Sequence, residues 1–128
     1  AGGNPAFVVP ANTAWLVHSA RGRFVTAIAV ATRVVGIIVR NELAGVFEET
    51  WRANSTETQA ASLTRDYNFS AAERFLENAT ELLTRTVSLP PDLWLFANER
   101  LEVTTLNIQG ADQWSSARCR VSEFILAE

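Results

Sequence analysis

The sequence predicts a mainly α-helical domain: an antiparallel helix bundle with one short extended segment. Three observations carry this expectation. Apolar residues between Thr13 and Arg52 recur at helical spacing, Ser70-Ala71-Ala72-Glu73 spells a helix start, and Trp114, Ala117, Val121, Phe124 and Ile125 share one face of a helix over 112–127. At 128 residues, 48% apolar and 20% charged, residues 1–128 read as a single domain that can bury a core without disulfides or metals.

The elements follow in order. Residues 1–12, with Gly2, Gly3, Pro5 and Pro10 around Phe7, Val8 and Val9, read as an extended N-terminal arm. Leu16, Ala20, Phe24, Ile28, Ala31, Val35, Val39, Leu43, Val46 and Phe47 then keep a helical register, broken near Arg21-Gly22-Arg23 or Gly36 into a helix pair. The alternative is an α+β fold with a β-hairpin at 23–39, because Val34, Val35, Ile37, Ile38 and Val39 are β-branched. Residues 53–68 read chiefly as a connection, with Thr56 and Gln59 spaced as a capping box. Ser70 and Glu73 make a second capping box for a helix running to about Val87, with Phe75, Ala79, Leu82 and Leu83 on its apolar face. Pro91 opens a short helix carrying Leu93, Trp94, Phe96 and Ala97. Leu101 to Ile108 is the extended piece, and Asp112 caps the last helix.

The chemistry-bearing residues are few. His18 is the single histidine and Cys119 the single cysteine. Neither a catalytic triad nor a zinc site can be assembled from one of each, and Asp66, Asp92 and Asp112 stand in separate segments. No metal site, no cofactor and no enzymatic activity are expected. Glu48-Glu49 and Glu77/Glu81 read as solvated faces. The apolar run from Phe24 to Val39 is short of the roughly 20 residues a spanning helix needs and contains Arg33, so no membrane insertion is expected. Sequons at Asn54, Asn68 and Asn78 leave a secreted chain open.

All 11 basic residues are arginine, in a chain of net charge −3. Arg21/Arg23, Arg33/Arg40 and Arg118/Arg120 form pairs, with Glu42, Glu48, Glu49 and Glu123 interspersed, so a salt-bridged surface is the default reading. The four tryptophans, Trp15, Trp51, Trp94 and Trp114, fall near element ends, where they serve core packing or a subunit interface.

Phe7-Val8-Val9 followed by Thr13-Ala14-Trp15 resembles the amino-terminal arm of rod-shaped plant virus coat proteins of the tobacco mosaic type. Arg40, Phe47, Glu49 and Trp51 stand where that family has an Arg and then a Phe-x-Glu-x-Trp-like ending to its second helix. Leu106 to Leu126 is similar to its later radial helix, with Asp112, Ala117 and Arg118 in place. The family's Asp-Thr-Arg-Asn-Arg signature for RNA contact is missing, and only Arg85 lies near its position. The resemblance implies a self-assembling structural subunit, a virion coat protein packaging nucleic acid, found in the virion or host cytoplasm. It implies a homo-oligomer with RNA as a partner. Arg85, Arg118 and Arg120 would be the nucleic-acid contacts, and Phe7, Trp15, Trp51 and Trp94 the subunit interface. A non-enzymatic helical ligand-binding or regulatory module is the competing expectation, with a pocket lined by Phe24, Ile28, Leu82 and Phe124.

Overall fold

The computed structural model describes residues 3–43, 45–70 and 84–126. These residues form two β-sheets around a shared core, and none of them is helical. Sheet A contains, side by side, β1 (Ala6–Val8), β8 (Glu99–Leu106), β3 (Arg33–Leu43) and β4 (Val46–Gln59). Sheet B is built on β2 (Thr13–Val25), with β9 (Gln113–Ile125) along one side. Along its other side lie β5 (Thr64–Ser70) and β7 (Leu93–Phe96), and β6 (Thr84–Ser88) pairs outside β5. All pairings are antiparallel except β5–β6.

The expected helix bundle is therefore corrected to an all-β fold. The alternative hairpin at 23–39 is corrected too: Arg23 to Val25 end β2 in sheet B, whereas Arg33 to Val39 belong to β3 in sheet A, whose hairpin partner is β4. The helix expected at Ser70–Val87 falls mostly on 71–83, outside the described residues, as do Glu77/Glu81 and Asn78. Its described ends are strand. The short helix after Pro91 is the turn and strand of β7; Asp92 and Asn98 bracket it at φ 53° and 73°, values no helix accepts. The extended reading of Leu101 to Ile108 matches β8 closely.

The helical spacing in β2 comes from a β-bulge. Val17 pairs with Val121 and Ser19 with Arg120, so His18 is an extra residue that swaps the faces of the strand. Inward Val17, Ala20 and Phe24 are thereby spaced three and four apart, as on a helix, although Ala20 to Val25 alternates strictly between buried and exposed. A second bulge, in β9 between Ser115 and Arg118, includes Ser116 at φ 53°. It sets inward Trp114 out of step with inward Cys119 and Val121. In β3, a central strand flanked by β4 and β8, Val35 to Val39 are all buried, so side chains on both of its faces are shielded from water.

The core joins both sheets: Val35, Ile37, Val39, Leu101 and Val103 from sheet A meet Val17, Phe24, Tyr67, Phe69 and Leu95 from sheet B. Phe24 stacks on Trp114 at 4.7 Å, and Tyr67 tilts against the same indole at 5.7 Å. Gly22 makes room for that indole, since a Cβ there would stand 3.0 Å from the Trp114 ring. Gln59, expected in a capping box, is buried instead. Its amide donates to the carbonyls of Phe24 and Leu63 and accepts from the Tyr67 hydroxyl.

The chain crosses between sheets three times at one end, through 26–32, 60–63 and 107–112. Arg33 and Asp112 tie the first and last of these crossings together with no exposed side-chain surface on either partner. The guanidinium donates through Nε and Nη2 to both carboxylate oxygens at 2.9 Å and also to the carbonyls of Ala29 and Ala31. Asp112 further accepts the backbone N–H groups of Ala27 and Gln109. Burial pushes its carboxyl pKa up, but the bonds from Arg33, Ala27 and Gln109 outweigh this and hold it below the usual carboxylate value. Asp112 is thus a corner clamp, not a helix cap.

Candidate functional site

The outer face of sheet B carries two neighbouring patches of opposite character. Strand pairing sets both, because directly opposed residues of antiparallel strands share a face. Beyond the His18 bulge, outward positions on β2 are Ser19, Arg21 and Arg23; β5 sets Ser70, Asn68 and Asp66 opposite them, and β9 sets Arg120, Arg118 and Ser115. Before the bulge, Ala14 lies between Phe96 of β7 and Phe124 of β9, and Leu16 between Trp94 and Ser122.

The basic patch is what remains when the arginines are sorted by partner. Arg23 pairs with Asp66, Arg33 with Asp112, Arg40 with Glu102, Arg52 with Glu49, and Arg100 with Glu42. Arg40 and Arg100 also lie over the Phe47 ring. Arg65 is buried and donates to the Thr58 carbonyl. Among the arginines whose side chains are described, only Arg21, Arg118 and Arg120 are held by neither a carboxylate nor, as Arg65 is, a carbonyl, and all three line one open cavity of about 220 Å³ with Ser19, Asn68 and Cys119. A smaller cavity of about 120 Å³ continues it past Arg21 and Arg118 to Ser116 and Asp66. Asp66 is held below its ordinary pKa by its hydrogen bonds from Arg23, against some desolvation, and Arg21 adds to the lowering.

The apolar patch exposes 43% of Trp94, 50% of Phe96 and 47% of Phe124, with the Trp94 and Phe124 rings 5.4 Å apart. Leu126, 44% exposed, follows two residues after Phe124, and β9 among the described residues pairs with β2 alone and leaves its other edge free. Two further apolar sites lie elsewhere. Ile28 and Val30 stand out from the corner loop, and Val46 and Phe47 from the β3–β4 turn.

The expected site residues are placed as follows. Arg118 and Arg120 come together, joined by Arg21, whose sequence neighbour Arg23 is instead paired with Asp66. Arg85 is in β6, opposite Tyr67 of β5, with two strands, β5 and β2, between it and β9. Of the expected interface residues, Trp94 is open, while Phe7, Trp15 and Trp51 pack in part against the core; Trp15 also donates its indole N–H to Glu123. Phe24 is buried and Ile28 is 87% exposed, so they line no common pocket. Asn68 is 5% exposed within β5, a setting with no room for a glycan.

His18, on its bulge, has Nε2 at 2.7 Å from the Ser122 hydroxyl. Among the described residues no carboxylate bonds to this histidine, so the two make a surface pair without the third group of a triad. Burial pushes the Cys119 thiol pKa up, away from the reactive thiolate. No cluster of three or more His, Cys, Asp or Glu suited to a metal ion occurs among the described residues. No described helix is long and apolar enough to cross a membrane. Compared with protein-family models, curated proteins and solved structures, the chain has no match.

Proposed function

We propose that this chain is a non-enzymatic structural subunit that associates with copies of itself through the outer face of sheet B. The carrying observation is the exposed Trp94–Phe96–Phe124 patch beside the free edge of β9. Aromatic side chains contribute much of the burial energy at protein interfaces, and an unpaired edge strand offers backbone hydrogen bonds to a second strand. Each copy presents the same edge and the same patch, so a second copy is a ready partner across a two-fold axis. The separate apolar sites at Ile28/Val30 and Val46/Phe47 add contacts in other directions, as repeated assembly requires.

The ligand-binding alternative has less behind it. The two cavities on the outer face of sheet B, of about 220 and 120 Å³, and one of about 230 Å³ beside Asn54 and Thr104 in sheet A are smaller than the roughly 300–1,000 Å³ typical of small-molecule pockets. The coat-protein resemblance adds nothing to the reading, since the helix bundle it implies is not this fold.

Sedimentation velocity over a rising concentration series tests the proposal. The mean mass should rise with concentration in the wild type, and Trp94→Asp or Phe124→Asp should shift the rise to higher concentration. A chain that sediments as a monomer throughout would sink it.

A further inference from the structure

We propose that Arg21, Arg118 and Arg120 form a binding site for phosphate-class oxyanions on the outer face of sheet B. The site does not depend on self-association, because it rests on different residues. Three observations converge on it. The first is selection: every other arginine with a described side chain is held by a carboxylate or, for Arg65, a carbonyl, and the three left over meet in one cavity. The second is charge: the chain carries −3 overall, yet this part of the face sets Arg21, Arg23, Arg118 and Arg120 against Asp66 alone. A local positive field on an acidic protein draws anions to that place. The third is the lining: Asn68 is buried, borders the cavity, and makes no side-chain hydrogen bond among the described residues. Its amide and the Ser19 hydroxyl supply neutral donors beside the three guanidinium groups.

The geometry suits a tetrahedral oxyanion. Arg21 and Arg118 are directly opposed on neighbouring strands, and Arg120 follows Arg118 two residues on, about 7 Å along the strand. Guanidinium forks bind phosphate oxygens in pairs, and one anion between Arg21 and Arg118 also relieves the repulsion of two like charges face to face. The source is either a free phosphate compound or the phosphodiester chain of a nucleic acid.

Two titrations at low salt separate these sources: inorganic pyrophosphate by calorimetry, and a short single-stranded oligonucleotide by fluorescence anisotropy. Binding of pyrophosphate alone assigns a free oxyanion, and binding of the oligonucleotide assigns a phosphodiester. In either case Arg118→Gln/Arg120→Gln should weaken binding about tenfold or more. For the oligonucleotide it should also flatten the log–log salt dependence by about 1.4, the share of two phosphate contacts on a single strand. Arg21→Gln, on a different strand, should also weaken binding. Arg52→Gln removes the same charge from sheet A and should change affinity by less than about twofold. Repeating the titrations on Trp94→Asp reads anion binding apart from assembly. The proposal is overturned if neither probe binds the wild type, or if the Arg118/Arg120 variant binds no more weakly than Arg52→Gln.

Discussion

Arg33 and Arg118 are the same side chain put to opposite uses. Arg33 sits at the sheet-to-sheet corner with no exposed surface, and it donates both to a carboxylate and to two backbone carbonyls. Arg118 is exposed on β9, faces another arginine across the strand pair, and has no carboxylate partner among the described residues. The corner is electrostatically complete, and any loss there leaves a buried charge alone. The outer face instead carries positive charge that no carboxylate among the described residues offsets. If Arg118 serves the proposed anion site, stability and recognition rest on different arginines, and the two regions should separate cleanly under mutation.

The largest effect is expected at the corner. Asp112→Ala leaves the Arg33 guanidinium buried without its counter-charge and also strips the N–H groups of Ala27 and Gln109 of their acceptor. Breaking one side of a buried pair costs about 3–5 kcal/mol, so the urea midpoint should fall steeply. A loss under about 1 kcal/mol would show that water reaches the corner and that the clamp is not dry. Acid should probe the same pair more gently. Because Asp112 is depressed in the folded state, its stabilising contribution is complete above the unfolded value of about 4 and is lost as pH falls below that toward the folded pKa. Unfolding midpoints followed from neutral pH downward should drop below about pH 4 in the wild type. Asp112→Asn should drop less steeply over that range, keeping only the slope from Asp66 and Glu49, whose pKa values are also lowered. Equal slopes would place the acid-sensitive group elsewhere.

Part of this was legible in the sequence. The pairing of Arg118 with Arg120 on one face follows from their spacing of two, which is same-side only on a strand. Read as a helix, the segment hid it. The scarcity of catalytic groups was equally plain. The fold was not, and the reason lies in the bulges. His18 inserted into β2 and the extra residue after Ser115 in β9 each change the inward spacing from two to three or more, which copies helical periodicity in the two longest strands of sheet B. β3 hid differently: buried on both faces, it shows no alternation at all. Gly36, a helix break by sequence, is no such thing. Its reason is the close approach of β4, where a Cβ would stand 2.8 Å from the Ala53 carbonyl oxygen and closer still to the Asn54 side chain. The Arg33–Asp112 clamp left one usable signal, a lone charge inside an apolar run, which has to find a partner or be exposed. Nothing local named Asp112 as that partner, 79 residues away.

The smallest effect is expected on the outer face, and its sign is informative. Arg118→Gln/Arg120→Gln removes exposed side chains that hold no ion pair, so the unfolding free energy should stay within about 0.5 kcal/mol of the wild type. The direction within that range should be upward, because Arg118 lies opposite Arg21 and like charges directly across a strand pair repel. A residue kept for the fold would not behave this way. A residue kept for a ligand would, since binding groups are held where they serve recognition even at some cost in stability. Adding saturating phosphate or oligonucleotide should then reverse the order, raising the wild-type midpoint above that of the variant as the anion binds only the folded chain. Should the variant instead lose more than about 1 kcal/mol without any anion present, the cluster is part of the scaffold, and the contrast with Arg33 collapses.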